Sequence, residues 1–234
     1  MRSVIIIPAR MESERLPGKP LLRIRGKSLL EWTYNRAVEC CPNSTIVATS
    51  NQGVIAHCKG IGLSWMDTGE HPTGTHRCAE AAAKLTSQYD VVVNWQVDEP
   101  LVKPADVEKL IELTHKSDVC TLVSTMPYKD QQNRDIIKAV VSDQLGFKIC
   151  QWFSRTPMAG AMGHVGVYAF RWNSLQRISR IKPTILSKAE SLEQLAWLEN
   201  AWEIKAVETD KMPLSINTPE DLDKFREIAY GWVD

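Results

Sequence analysis

Val4-Ile5-Ile6-Ile7 is an apolar run with no polar position, closed by Pro8. Such a run predicts a strand covered on both faces rather than wetted on one. Leu29, Leu30, Trp32, Thr33 and Ala37 then recur near a 3.6-residue period, which predicts a helix over 28–40. The alternation continues, with strands expected over 45–49, 63–66 and 91–95 and helices over 53–59, 76–85 and 104–115. The last of these helices opens on Pro104, a residue suited to a first helical turn. Strand and helix alternating at this rhythm imply a parallel sheet with helices on both faces.

The pattern changes near residue 118. Segments 118–126, 137–142 and 147–153 are β-rich with turns between them, and 164–170 reads as a further strand. A helix is expected over 189–201 and a strand over 204–208. Thr218-Pro219-Glu220-Asp221 has the chemistry of a helix start: a hydroxyl cap, proline at the first position and acids in the first turn. No repeat, low-complexity stretch or linker interrupts the chain. One mixed α/β domain over 1–234, with an inserted or appended β subregion, is expected.

Composition narrows the function. The 234 residues hold 28 Lys plus Arg against 28 Asp plus Glu, a formal charge of zero. That balance argues against a dedicated nucleic-acid binder but permits a local basic pocket. Hydrophobic residues at 44 % with charged residues at 24 % exclude bulk disorder. The six cysteines form no Cys-x-x-Cys, so reduced thiols in a cytoplasmic protein are expected. No apolar stretch approaches the ~20 residues of a membrane span, and the N-terminal run is too short for a signal peptide.

Four segments carry candidate chemistry. Pro8 to Leu22 follows the first strand and brings Arg10, Arg15 and Lys19 around Gly18, which suits a triphosphate. The solvated-loop alternative stands beside it, because the stretch is neither a P-loop nor a Gly-x-Gly-x-x-Gly fingerprint. His71 to Arg77 runs a loop into a helix, where Thr73, Gly74 and Thr75 offer hydroxyls and amides to an anion or a base edge. Asn94 to Pro100 leaves the most apolar strand with the acidic pair Asp98 and Glu99, of which Asp98 is the better Mg²⁺ ligand; an ordinary acidic turn is the alternative. In the second half, strand alternation puts His164 and Tyr168 on one face, and with Arg155 they could grip a carboxylate and hydroxyls. Ser154 has no nucleophile-elbow context, so a serine hydrolase is a poor reading.

In this order the segments resemble the 3-deoxy-manno-octulosonate (Kdo) cytidylyltransferase family. Its loop P-A-R-x-x-S-x-R-L-P-G-K-P-L is complete from Pro8 to Leu21. Its H-x-S-G-T-x-R is seen at His71–Arg77, with Thr73 for serine, and its Q-G-D-E-P at Gln96–Pro100, with Val97 for glycine. F-S-R, H-L-G-x-Y, L-E-Q-L and D-T-P-E-D-L match Phe153–Arg155, His164–Tyr168, Leu192–Leu195 and Asn217–Leu222. The resemblance implies a nucleotidyltransferase, Rossmann-like α/β fold with a mostly parallel sheet. It implies a nucleotide-binding half over about 1–117 and a β-rich, sugar-binding and dimerisation half over about 118–234. It implies a homodimer that moves CMP from CTP to an acidic sugar with Mg²⁺. Pro8, Ala9, Arg10, Ser13, Arg15, Lys19, Thr73, Gly74, Thr75 and Arg77 would then border the nucleotide. Gln96, Arg155, His164, Tyr168, Glu193 and Gln194 would bind the sugar. Arg10, Lys19 and Asp98 would be catalytic, with Asp98 and, more weakly, Asn217 on the metal.

The chain departs from the family at Val97, at Asn217 (an aspartate in the family) and in a shorter stretch between Arg155 and His164. Asparagine brings no charge, so weaker Mg²⁺ binding is expected. A homologue that binds without turnover, or a transferase for another sugar, are the alternatives.

Overall fold

A computed structural model describes residues 1–13, 15–85, 89–144 and 146–231. The first half runs β1 (Ser3–Pro8), a two-strand ribbon β2 (Arg23–Ile24) and β3 (Lys27–Ser28), α1 (Leu29–Cys40), β4 (Thr45–Thr49), α2 (Gln52–Ile61), β5 (Trp65–Asp67), α3 (Gly74–Lys84), β6 (Val91–Trp95) and α4 (Pro104–Leu113). The second half runs β7 (Val119–Ser124), α5 (Tyr128–Gln131), β8 (Lys138–Gln144), β9 (Phe147–Ser154), β10 (Met162–Arg171), α6 (Trp172–Ile178), α7 (Ile185–Glu190), α8 (Glu193–Glu199), β11 (Ile204–Thr209) and α9 (Pro219–Tyr230).

Nine strands form one sheet in the order β5-β4-β1-β6-β10-β7-β11-β9-β8. From β5 to β6 every pairing is parallel. Beyond β6 the sheet is mixed: β10 is antiparallel to both β6 and β7, and β8, β9 and β11 add further antiparallel pairs, with only β7 and β11 parallel. The expected mostly parallel sheet is therefore corrected to a parallel half fused to a mixed half. Of the described second-half strands, only β8 and β9 are joined by a hairpin-length turn that forces antiparallel pairing; β10 enters antiparallel between β6 and β7 from far along the chain.

The apolar run of β1 divides between two cores. Val4 and Ile6 pack with α3, α6 and α8 on one face. Ile5 and Ile7 pack with α1, α2 and α4 on the other. A third cluster joins α9 through Leu222 and Phe225 to Leu16, Ile24 and Leu29. Ser28 caps α1 by accepting the Glu31 amide at 3.1 Å, as a cap residue before the apolar period should.

The helix expected over 189–201 is two. Ser191 takes a left-handed φ of 54° that ends α7, and extended Leu192 starts α8. The Glu190 carboxylate is drawn to β9, accepting the Ser154 hydroxyl at 3.0 Å and the Arg155 amide at 2.9 Å. α3 starts at Gly74, two residues before the periodicity suggests. No helix among the described residues is long and apolar enough to cross a membrane.

Candidate functional site

β1 and β6 are parallel neighbours, so the loops after both emerge at one edge of the sheet. Left-handed Gly18 (φ 69°) turns the first loop into a 3-10 turn over Lys19–Leu21. Lys19 is thereby aimed at the β6 loop, where its ammonium donates to Asp98 Oδ2 at 3.0 Å and Asn217 Oδ1 at 3.2 Å. Asn217 comes from far along the chain but is fixed three times. The Ile216 amide donates to the Asp98 carbonyl at 2.9 Å. The α9 capping box takes the Asn217 amide on Asp221 at 3.1 Å. The Asn217 Nδ2 donates to Ser215 at 3.0 Å, which turns its carbonyl oxygen toward Lys19. Two hard oxygens thus converge on one cationic atom, a donor pair that could also hold a divalent cation alongside substrate oxygens.

This junction separates two cavities. The first, about 690 Å³, is lined by Pro8, Ala9, Arg10, Ser13, His71, Thr73, Gly74, Arg77 and Val97. The second, about 750 Å³, is lined by Glu99, Arg155, His164 and Gly166, with Lys129, Lys211 and Lys224 around it. Arg15, Gln96, Asp98 and Asn217 line both.

α3 points its N-terminus at the first cavity. A Cβ on Gly74 would meet Gln96 Nε2 at 2.8 Å and Pro8 Cγ at 3.1 Å, so any larger residue there would have to displace Gln96 and press on Pro8. Arg77 is buried and holds the preceding loop, donating to Thr68 at 2.7 Å and the Gly69 carbonyl at 3.1 Å. Burial lowers its pKa, mainly through lost solvation. Val97 sits 8 % exposed in the wall, and its carbonyl accepts the Thr33 hydroxyl at 2.7 Å. Among described non-glycine residues, positive φ occurs at Arg25, Ser191 and Ala201, so Val97 does not strain the backbone.

Thr75, Tyr168, Glu193 and Gln194 lie outside the linings of these two cavities. A relay connects part of this layer to them: Gln96 donates to Asn94 at 2.8 Å, Asn94 to Thr75 at 3.3 Å, and Thr75 to Glu193 at 2.6 Å. β10 is irregular between Val165 and Tyr168, where three steps meet one step of β7. Parity survives this bulge, so the His164 and Tyr168 rings lie 5.2 Å apart on one face. The short segment between Arg155 and His164 closes in a turn at Gly160 (φ 74°).

Four buried side-chain atoms have no hydrogen-bond partner among the described residues: Glu99 Oε2, His164 Nδ1, Glu193 Oε2 and Gln194 Nε2. Native proteins pair nearly all such groups; Glu99 and His164 line the second cavity, whereas Glu193 and Gln194 lie outside both. The Thr121 hydroxyl donates to the Val167 carbonyl at 2.9 Å, so it accepts from His164 Nε2, also at 2.9 Å. Nδ1 is then the bare acceptor. Burial holds this imidazole neutral, its pKa pushed down to about 3. Glu99 is pushed up to about 8 by burial and then by Asp98, and accepts the Gly166 amide at 3.2 Å. Glu193 is also raised by burial. Sequence reasoning passed over Glu99 in favour of Asp98, although both stand in the same motif. Lys129, Lys211 and Lys224 lie outside every motif and gave no signal.

A cytidylyltransferase family model matches residues 4–204. The 3-deoxy-manno-octulosonate cytidylyltransferase of Anaeromyxobacter sp. (strain Fw109-5) is 37% identical over 97% of this chain and 96% of its own length. The mitochondrial enzyme of that name from Arabidopsis thaliana is 35% identical over 97% of this chain and 83% of its own length. A solved CMP:2-keto-3-deoxy-manno-octonic acid synthetase complexed with CTP superposes with a TM-score of 0.89 at 32% identity, covering 99% of each chain. The chain belongs to the cytidylyltransferase family, among the 3-deoxy-manno-octulosonate cytidylyltransferases.

Proposed function

We propose that this enzyme transfers CMP from CTP to Kdo, releasing pyrophosphate. The observation that carries the reading is the pair of cavities meeting at Lys19, Asp98 and Asn217. One substrate in each would bring an attacking hydroxyl and an α-phosphate together at that junction. CTP is assigned to the first cavity, where Arg10, Arg15, Lys19 and the start of α3 gather, and the acidic sugar to the second, which holds Arg155 and His164.

In the first cavity Arg10, Arg15 and Lys19 supply the positive charge that a triphosphate needs, and the α3 N-terminus adds amides. In the second, the Arg155 guanidinium would meet the sugar carboxylate, while His164 Nδ1 and Glu99 are free to pair with hydroxyls. Gln96, anchored by Asn94, faces both. Displacement at phosphorus depends mostly on alignment and charge neutralisation, which these fixed groups provide.

Asp98 and Asn217 fit Mg²⁺ as hard oxygen donors, one charged and one neutral. Mg²⁺ bound with CTP would supply further charge neutralisation at the phosphates. A cytoplasmic homodimer belongs to the same reading. A second reading, nucleotide or sugar binding without turnover, is favoured by the missing charge at Asn217.

The test is pyrophosphate release from each of the four nucleoside triphosphates with Mg²⁺ and Kdo. Release with CTP alone is expected. Binding of CTP without release would establish the second reading.

A further inference from the structure

Lys138 opens β8 at a three-strand junction, paired with Ser154 of β9 and Gly163 of β10. Its side chain is fully buried. An ammonium has three donors and no acceptor. Lys138 directs its donors to three main-chain carbonyls: Asn133, Ile136 at 2.8 Å and Arg155 at 3.3 Å. Burial and the neighbouring Arg134 and Arg155 lower its pKa, but three acceptors around one nitrogen favour the charged form.

These carbonyls belong to two adjoining segments in the wall of the second cavity. Asn133, Asp135, Ile136, Ile137 and Arg155 all line it, whereas Lys138 does not. The Ile137 carbonyl takes the His164 amide at 2.8 Å. Asp135 pairs with Arg15, which lines both cavities. Arg155 donates onward to the Arg134 carbonyl at 3.3 Å, closing the ring of contacts.

We propose that Lys138 is a positioning residue for the sugar cavity: its buried ammonium ties the 133–136 turn to Arg155 and so sets the spacing of the groups that meet the acidic sugar. This rests on reading the second cavity as the sugar compartment. Neither the α3 start nor the Gly18 turn touches this brace, which reaches the CTP side only indirectly, through the Asp135–Arg15 pair.

The test uses Lys138→Met, which keeps the stem and removes the donors, and Lys138→Gln, which restores two of them. Lys138→Met should raise the KM for Kdo about tenfold or more, the effect of losing charge-assisted hydrogen bonds, while the KM for CTP, touched only through the Asp135–Arg15 pair, should change far less. Lys138→Gln should lie between wild type and Lys138→Met. Amide exchange over 133–137 and at Arg155 should quicken in both variants, while exchange over the Gly18 turn does not. A lower melting temperature with both KM values unchanged, or an equal rise in both, would reduce Lys138 to a structural residue and overturn the proposal. If Lys138→Met does not fold, Lys138→Gln is read by the same measures. Wild type that makes no pyrophosphate with Kdo would defeat the functional reading instead; the brace then stands or falls on the exchange data alone.

Discussion

Asn217 offers Lys19 a neutral oxygen at 3.2 Å, beside the charged one that Asp98 offers at 3.0 Å. A hard divalent cation prefers charged oxygen, so Asp98 should be the principal protein ligand and CTP phosphates should supply the rest. Asp98→Asn is expected to cut turnover by ~10²-fold or more, as when a contact to transition-state charge is lost. Asn217→Asp should lower the Mg²⁺ concentration needed for half-maximal rate and raise the rate itself. The surroundings tolerate the change, because the Ser215 hydroxyl that now accepts from Asn217 can rotate to donate. The measurement is a Mg²⁺ titration of pyrophosphate release for wild type and both variants. An unchanged titration for Asn217→Asp would remove residue 217 from the metal. A silent wild type revived by Asn217→Asp would mean that the natural chain binds without turning over.

Among the elements, α3 puts its start into the wall of the first cavity, and that start is the part the sequence left uncertain. Helical periodicity begins with apolar positions, but Gly74 and Thr75 sit in the first turn because the helix N-terminus must press against Gln96 and Pro8. The loop-to-helix chemistry and the family motif, not helix propensity, marked that glycine. The same limit explains the helix split at Ser191: the break follows the pull of Glu190 toward β9, a contact between residues distant in sequence. By contrast the β1 run and the Thr218 cap were legible, since their causes are local. Gly74→Ala tests the close approach. Gln96 can move aside only by giving up its hydrogen bond to Asn94 at 2.8 Å. Overpacking of this kind costs ~1–3 kcal/mol, and each kcal/mol lowers the melting temperature of a chain this size by about 2–4 °C. Calorimetry should show that drop together with weaker CTP binding. Native stability and CTP affinity in Gly74→Ala would mean that the approach is looser than the 2.8 Å contact implies.

For the molecule as a whole, the sheet carries the site across a change in its own direction, from parallel strands under the first cavity to mixed strands beside the second. Sequence pattern could not foresee that antiparallel β10 would lie against β6, because a buried strand reads alike in either direction. Nor could it place the 210–217 segment, whose Lys211 and Ser215 line the second cavity only because Ile216 is pinned to Asp98. Burying ionisable groups at this meeting point gives the fold a pH signature. His164 has its pKa depressed from 6.5 to about 3, so it stabilises the fold above pH 6.5 and loses that contribution as pH falls toward 3. Glu80 acts in the same sense lower down, held near about 2 by its hydrogen bond to Lys84, then His71 and Gly69. Glu99 acts oppositely. Raised from 4.5 to about 8, it contributes fully below pH 4.5 and its contribution is lost as pH rises toward 8. Glu193 is raised as well and adds to the same trend. Between 4.5 and 6.5 the His164 and Glu99 slopes oppose each other, so stability should be nearly flat there. Between 6.5 and 8 the raised carboxyls still titrate and pull the melting temperature of the metal-free, nucleotide-free protein down, while the Cys41 thiol, lowered by its hydrogen bond with Cys40, works against them, so the Glu99 share is read by comparison with a variant. Glu99→Gln keeps an oxygen to accept the Gly166 amide and cannot ionise. It should therefore be more stable than wild type at pH 8, and its melting temperature should decline less between pH 6.5 and 8. Parallel melting curves for the two proteins across that range would show that Glu99 is already ionised in the native site, with its second oxygen solvated rather than waiting for a hydroxyl.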